Sequence, residues 1–138
     1  MKTTRSKPYT ILWADDDQDD LSVICEIVHT ITTSCNVAAV ESGCAVLHYL
    51  DSIRDPSQFP CLVVLDVNMP KLNGLETLAH IKADERYRTL NVAVFTTSNN
   101  VRDRQACAKY GVPIRTKPSS YQGFKSVITE LLQLCNIA

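Results

Sequence analysis

Two short apolar runs that each stop on aspartate constrain this chain more than any other feature. The first, Thr10-Ile11-Leu12-Trp13-Ala14, runs into Asp15-Asp16-Asp17; the second, Cys61-Leu62-Val63-Val64-Leu65, ends on Asp66. Short runs that are apolar almost throughout, rather than at alternate positions, suit strands covered on both faces of a parallel sheet. Open parallel sheets gather ligand chemistry at the carboxyl ends of their strands. Two such strands side by side therefore bring their aspartates to one edge. Crowded carboxylates repel one another and need a counter-charge, which a hard, oxygen-seeking cation such as Mg²⁺ supplies. The pattern points to a metal held beside one reactive carboxylate.

Strand and helix signals alternate along the rest of the chain. After the first strand (10–14), a helix over about 19–30 places Leu21, Ile24, Cys25 and Val28 on one stripe. Asp19 and Asp20 suit its first turn, where the helix dipole favours negative charge. A second strand (36–40) leads to a helix over 43–53 with Ser42 as its cap, then to a loop at 54–60 where Pro56 and Pro60 break regular structure. A third strand (61–66) precedes a loop with turn chemistry at Pro70 and Asn73-Gly74. The pattern then predicts a helix over 75–83, a strand at 91–96, a helix over about 101–110, a strand at 112–116 and a last helix over about 121–135. The last helix carries a wide apolar face of Phe124, Val127, Ile128, Leu131, Leu132 and Leu134. Alternation of this kind implies an α/β fold, a doubly wound five-stranded parallel sheet with helices on both faces. The flavodoxin-like strand order 2-1-3-4-5 sets strands one and three together at the switch point, so Asp15, Asp16 and Asp66 converge.

Bulk properties narrow the function classes. A length of 138 residues predicts one domain over 1–138, with its core at about 9–135. The net charge of −1 argues against a dedicated nucleic-acid binder. No apolar stretch approaches the ~20 residues that span a bilayer, and the basic start (1–8) lacks the apolar segment of a signal peptide. The expectation is a cytoplasmic protein with no membrane or nucleic-acid partner. Cys25, Cys35, Cys44, Cys61, Cys107 and Cys135 form no C-x-x-C or zinc-finger spacing, and read as reduced, mostly buried small residues. His29, His48 and His80 fall in predicted helices without metal-ligand spacing and read as structural or surface residues.

Four segments, each at the end of a predicted strand, together resemble the receiver domain of two-component response regulators. They are Ile11-Leu12-Trp13-Ala14-Asp15-Asp16-Asp17, Leu65-Asp66-Val67-Asn68-Met69-Pro70 with Asn73-Gly74, Phe95-Thr96-Thr97, and Thr116-Lys117-Pro118. The resemblance spans about 10–134. It implies that Asp66 accepts a phosphoryl group and that Asp15, Asp16, Asp66 and the backbone carbonyl of Asn68 hold Mg²⁺. It implies that Lys117 pairs with the phosphoryl oxygens, and that the Thr96 hydroxyl, helped by the Thr97 N–H, hydrogen-bonds the new phosphate. Asp17 falls outside the metal pair and reads as a turn residue. The peptide before Pro118 is often cis in the family.

The same resemblance implies a sensor histidine kinase or histidine phosphotransfer protein as donor, and a downstream protein reading a face over 101–134, on a monomer or weak homodimer. With 134 close to the end, the expected output is protein binding or phosphoryl relay. The Thr96-Thr97-Ser98 stretch and the 54–60 loop resemble small single-domain receivers paired with phytochrome-type or hybrid kinases. Two features depart from the family. Trp13 stands where an aliphatic residue is usual and fills core beneath the acidic pocket. Ile114 stands where an aromatic switch is usual, leaving Tyr110 or Tyr121 as candidates for that role. The competing readings are a phosphate-independent module of the same shape and an aspartyl phosphatase. The second lacks the acid expected two residues after the nucleophile, where this chain has Asn68. A flavin-binding fold fails because no glycine-rich or Ser/Thr-rich phosphate loop follows strand one in this chain.

Overall fold

The computed structural model describes residues 9–135. Five parallel strands, β1 (Tyr9–Ala14), β2 (Cys35–Val40), β3 (Leu62–Leu65), β4 (Val92–Thr96) and β5 (Ile114–Thr116), lie in the order β2-β1-β3-β4-β5. Helices α1 (Gln18–Ile31), α2 (Gly43–Asp51), α3 (Gly74–Ala83), α4 (Val101–Lys109) and α5 (Tyr121–Leu132) follow the strands in turn. This is the doubly wound, flavodoxin-like sheet that the sequence predicts.

Strand side chains alternate between faces, and the core divides accordingly. Ile11, Trp13, Leu62, Val64, Ala93 and Phe95 pack against α1 and α5. Leu12, Ala14, Val63, Leu65 and Val94 pack against α2, α3 and Cys107 of α4. All four residues of β3 are buried, which explains its uninterrupted apolar sequence. Trp13 fills core as expected, edge-on to Phe95 at 6.0 Å, and Phe95 meets Phe124 at 5.3 Å.

Local chemistry sets the helix starts. The side chains of Asp17, Ser42, Asn73, Asn100 and Ser120 each accept a backbone N–H of the following turn. Asn73 and Glu76 complete a reciprocal capping box. Strand β5 is shorter than predicted. Gly111, at φ 69°, turns the chain, and Val112 and Pro113 precede the first paired residue, Ile114. The 54–60 loop contains a 3₁₀ turn, Pro56–Gln58, capped by Asp55. Helix α5 ends at Leu132 and tightens into a 3₁₀ turn at Gln133–Cys135.

Tyr87, which the hydrophobic pattern did not single out, is 2% exposed. Its ring meets Phe59 at 5.7 Å and its hydroxyl donates to Asp51. Among the described residues no peptide is cis, so the bond before Pro118 is trans, unlike the family tendency. His29, His48 and His80 lie in α1, α2 and α3. Cys35 and Cys107 are buried, Cys25, Cys61 and Cys135 are half-buried and Cys44 is exposed, so fewer of the cysteines are buried than expected. No described helix is long and apolar enough to cross a membrane. The basic start at 1–8 lies outside the described residues.

Candidate functional site

The last rungs of the sheet hold the acidic edge. Asp15 N–H donates to Val40 O at 3.0 Å and Asp66 N–H to Ala14 O at 3.1 Å, so both aspartates continue the strand pairing after β1 and β3 end. Their side chains point into the pocket, with Asp15 at 0% and Asp66 at 5% exposure. Asp16 is exposed, yet Asp15, Asp16 and Asp66 each bring one carboxylate oxygen within 4.8 Å of the others.

Backbone donors hold the remaining oxygens. Asp15 Oδ1 accepts the Asp17 N–H at 2.9 Å, and Asp66 Oδ1 accepts the Asn68 N–H at 3.1 Å. Asp17 itself caps α1, the turn role expected of it. Behind Asp66, the α3 N-terminus comes so close that a Cβ on Gly74 would stand 2.2 Å from the Asp66 carbonyl oxygen. Only glycine permits that approach, so the Asn73-Gly74 pair both caps α3 and seats it against the loop after β3.

Lys117 enters from the end of β5, where its N–H donates to Thr96 O at 2.8 Å. Its ammonium stands 2.6 Å from Asp15 Oδ2, 2.7 Å from Asp20 Oδ2 and 3.0 Å from Asp66 Oδ2, with the side chain 5% exposed. Thr96 is fully buried, and its hydroxyl accepts the Ser98 N–H at 3.2 Å. Ser98 in turn donates its hydroxyl to Asp103 in the first turn of α4. Thr97 and Asn68 are exposed beside the pocket, and Ile114 is half-buried in β5. Asp20 was not foreseen in the pocket. The sequence placed it on the helix dipole, and nothing in linear spacing shows it facing Lys117.

Burial tends to neutralise the Lys117 ammonium, but the close contact with Asp15, the hydrogen bond to Asp20 and the charge of Asp66 outweigh it and keep the lysine firmly protonated. Burial also pushes the Asp15 carboxyl above its usual range, more than Lys117 pulls it down. Asp15 Oδ2 is buried and makes no hydrogen bond, its contact with Lys117 being ionic alone. An all-oxygen donor set with an under-satisfied buried oxygen fits a hard divalent cation.

Residues 11–123 match the model of the response regulator receiver domain. The chain is a response regulator receiver domain. The "probable methanogenesis regulatory protein" FilR2 of Methanothrix harundinacea is 29% identical, over 90% of this chain and 81% of that protein. Response regulator Rcp1 of Synechocystis sp. is 31% identical, over 75% of this chain and 71% of Rcp1. The Mn²⁺-bound form of Rcp1 superposes with a TM-score of 0.79 at 28% identity, over 89% of this chain and 91% of that one. The phosphorylated cyanobacterial phytochrome response regulator RcpA superposes with a TM-score of 0.83 at 26% identity, over 94% of each chain. This receiver is thus a signalling module of phosphorelay signal transduction rather than a classical enzyme, with the acidic pocket of Asp15, Asp16 and Asp66 typical of a divalent-cation site.

Proposed function

We propose that Asp66 accepts a phosphoryl group from the phosphohistidine of a sensor kinase or a histidine phosphotransfer protein. The observation that carries this is the buried Asp66 carboxylate facing the Lys117 ammonium at 3.0 Å, within 4.8 Å of the carboxylates of Asp15 and Asp16. In this reading Asp15, Asp16, Asp66 and the backbone carbonyl of Asn68 hold Mg²⁺. The form of Rcp1 with Mn²⁺ bound and the phosphorylated form of RcpA support the assignment. When bound, the cation neutralises phosphoryl oxygens and makes attack by an anionic carboxylate possible.

An Asp66 oxygen attacks phosphorus, an O–P bond forms, the N–P bond breaks, and its electron pair stays on the donor imidazole. Phosphoryl transfer asks for positioning and charge compensation more than covalent help. The strand pairing beyond β3 and the Asn68 N–H fix Asp66 in place. Lys117 compensates a second phosphoryl oxygen. The Thr96 hydroxyl accepts from Ser98 and keeps its own proton, which it donates to a third oxygen, with the Thr97 N–H beside it. The added charge of about −2 draws Thr96 towards the phosphate and disturbs the Ser98–Asp103 link into α4. The 101–134 face then presents a changed surface to a protein target. Exposed Val101, Tyr110, Tyr121 and Leu134 supply its apolar contacts. The reading covers 1–138 as one receiver acting in the cytoplasm.

Intact mass after incubation with Mg²⁺ and acetyl phosphate tests it. Wild type gains one phosphoryl group, and Asp66→Asn or added EDTA abolishes the gain. No adduct on wild type, and no beryllofluoride binding, would leave a phosphate-independent interaction module instead.

A further inference from the structure

Lys117 is surrounded by more carboxylates than phosphoryl transfer requires. An ammonium has three N–H donors, and three carboxylates close on this one, those of Asp15, Asp20 and Asp66. Two of them, Asp15 and Asp66, also belong to the group of oxygens within 4.8 Å that suits a divalent cation. Asp20 does not. A cation entering the pocket therefore competes with Lys117 for Asp15 and Asp66 and leaves the 2.7 Å bond to Asp20 uncontested.

Asp20 is held where that matters. Its N–H donates to Asp17 Oδ1 at 3.1 Å, and the Asp17 N–H donates to Asp15 Oδ1 at 2.9 Å. This relay ties the first turn of α1 to the pocket. The Asp20 side chain is 27% exposed, whereas that of Asp15 is 0% exposed. Water shares the load at Asp20, so an ammonium and a carboxylate meet there at a lower desolvation cost than deeper in the pocket.

We propose that Asp20 is a positioning residue for Lys117. It is the carboxylate on which the ammonium rests while a cation takes Asp15 and Asp66, keeping the lysine paired and within reach of the phosphoryl group. The inference rests on the proposed roles of Lys117 and Mg²⁺. Its thermodynamic content is differential. Without a cation, Lys117 has three carboxylates, and losing Asp20 leaves two. With a cation bound, Asp20 is the main remaining partner, so its loss costs more. A residue that favours one state over the other shifts the equilibrium between them by that difference. Asp20 should therefore strengthen cation binding through the lysine.

The test is an Mg²⁺ titration of the full chain, read by fluorescence of the single tryptophan, Trp13, two residues before Asp15. Wild type, Asp20→Asn and Asp20→Glu are compared, each with Lys117 intact and with Lys117→Met. With the lysine present, Asp20→Asn weakens Mg²⁺ binding by about fivefold or more, and Asp20→Glu, which keeps a carboxylate, recovers most of it. With Lys117→Met, Asp20→Asn shifts binding by less than about twofold, since the residue through which it acts is gone. Equal Mg²⁺ affinity of wild type and Asp20→Asn overturns the proposal. Equal weakening in both lysine backgrounds also overturns it, because Asp20 would then act on the cation directly. Failure of wild type to bind Mg²⁺ defeats the proposed function itself, a different result from either.

Discussion

Around Asp66 the buried carboxylates of Asp15 and Asp66 close on one buried ammonium, that of Lys117, whereas along α4 and β5 few side chains are covered at all. Strand β3 buries all four residues, and α1 buries Leu21, Ile24, Ile27 and Val28. Strand β5 has two half-buried residues and one exposed, and α4 buries Cys107 alone. At the start of α4, Val101 is 66% exposed. The contrast follows from what each region must do. Phosphoryl transfer needs charges fixed before the donor arrives. A response to phosphorylation needs an element whose packing is weak enough for one new charge to rearrange it, and such elements come from the low-stability end of a fold.

The largest test removes the cation that stands in the pocket. Lys117→Ala leaves Asp15 and Asp66 buried and unpaired, a loss that costs about 3–5 kcal/mol in comparable buried pairs. Urea unfolding without metal should show that drop, and Mg²⁺ should restore most of it by supplying another counter-charge. A loss of under about 1 kcal/mol, the range of exposed ion pairs, would mean that the pocket is no more tightly built than the α4 side.

A pair of glycines sharpens the contrast. Gly74→Ala drives a Cβ to 2.2 Å from the Asp66 carbonyl oxygen. It should cost about 1–3 kcal/mol and slow phosphorylation by displacing Asp66. Gly111→Ala, in the turn between α4 and β5, meets nothing within 4 Å but must hold φ 69°. It should cost about 1 kcal/mol with the phosphorylation rate unchanged. Equal phosphorylation rates in both variants would show that the close approach of α3 does not position Asp66.

The two regions also differed in how much could be read from sequence. Strand order and the Asp15–Asp16–Asp66 cluster were legible because β1 and β3 are apolar almost throughout and end at one edge of the sheet, whereas the place of Lys117, after the half-exposed β5, was legible from the Thr116-Lys117-Pro118 motif. Asp20 was not legible. It reaches Lys117 through the direction of α1's first turn, which linear spacing does not encode, and its helix-dipole role already accounted for its presence. Tyr87 was missed for a related reason. It lies in a polar stretch after α3, and only the fold brings Phe59 and Asp51 to it. The short β5 reflects Gly111 and Pro113, which displace the start of pairing by two residues from the predicted 112 to Ile114.

A smaller effect comes from pH. Burial holds the Asp15 carboxyl above its ordinary value of 3.8. From that value up to its folded pKa, the folded chain binds more protons at this site than the unfolded chain does. Stability from this group therefore falls as pH rises through that window and stays low above it. Asp15→Asn removes the group. In metal-free protein, its stability relative to wild type should rise as pH rises through the window. Mg²⁺ should reverse that ordering near neutral pH, since the variant has lost a carboxylate proposed to hold the metal. A pH-independent gap would place Asp15 among the solvated carboxylates.

The smallest change in stability should come from the link between the regions. Thr96 accepts the Ser98 N–H, and Ser98 donates to Asp103, so a movement of the threonine has a direct route into α4. Asp103→Asn keeps the shape of the side chain and should cost about 0.5–1.5 kcal/mol, the worth of one hydrogen bond, with phosphorylation of Asp66 intact. Its effect belongs in the response. Hydrogen exchange across 101–109 in wild type should change on adding Mg²⁺ and beryllofluoride, and in Asp103→Asn it should already resemble the activated pattern and change little further. Half-buried Ile114 and exposed Tyr110 offer an alternative route, and an unaltered exchange response in Asp103→Asn would assign the signal to that side of β5. Ser98→Ala and Asn68→Ala should each change the rate at which the phosphoryl group is lost, since each side chain follows a backbone N–H that donates to Thr96 or Asp66 and neither is buried. Dephosphorylation equal to wild type in both would confine control of the phosphorylated lifetime to Asp66, Lys117 and Thr96.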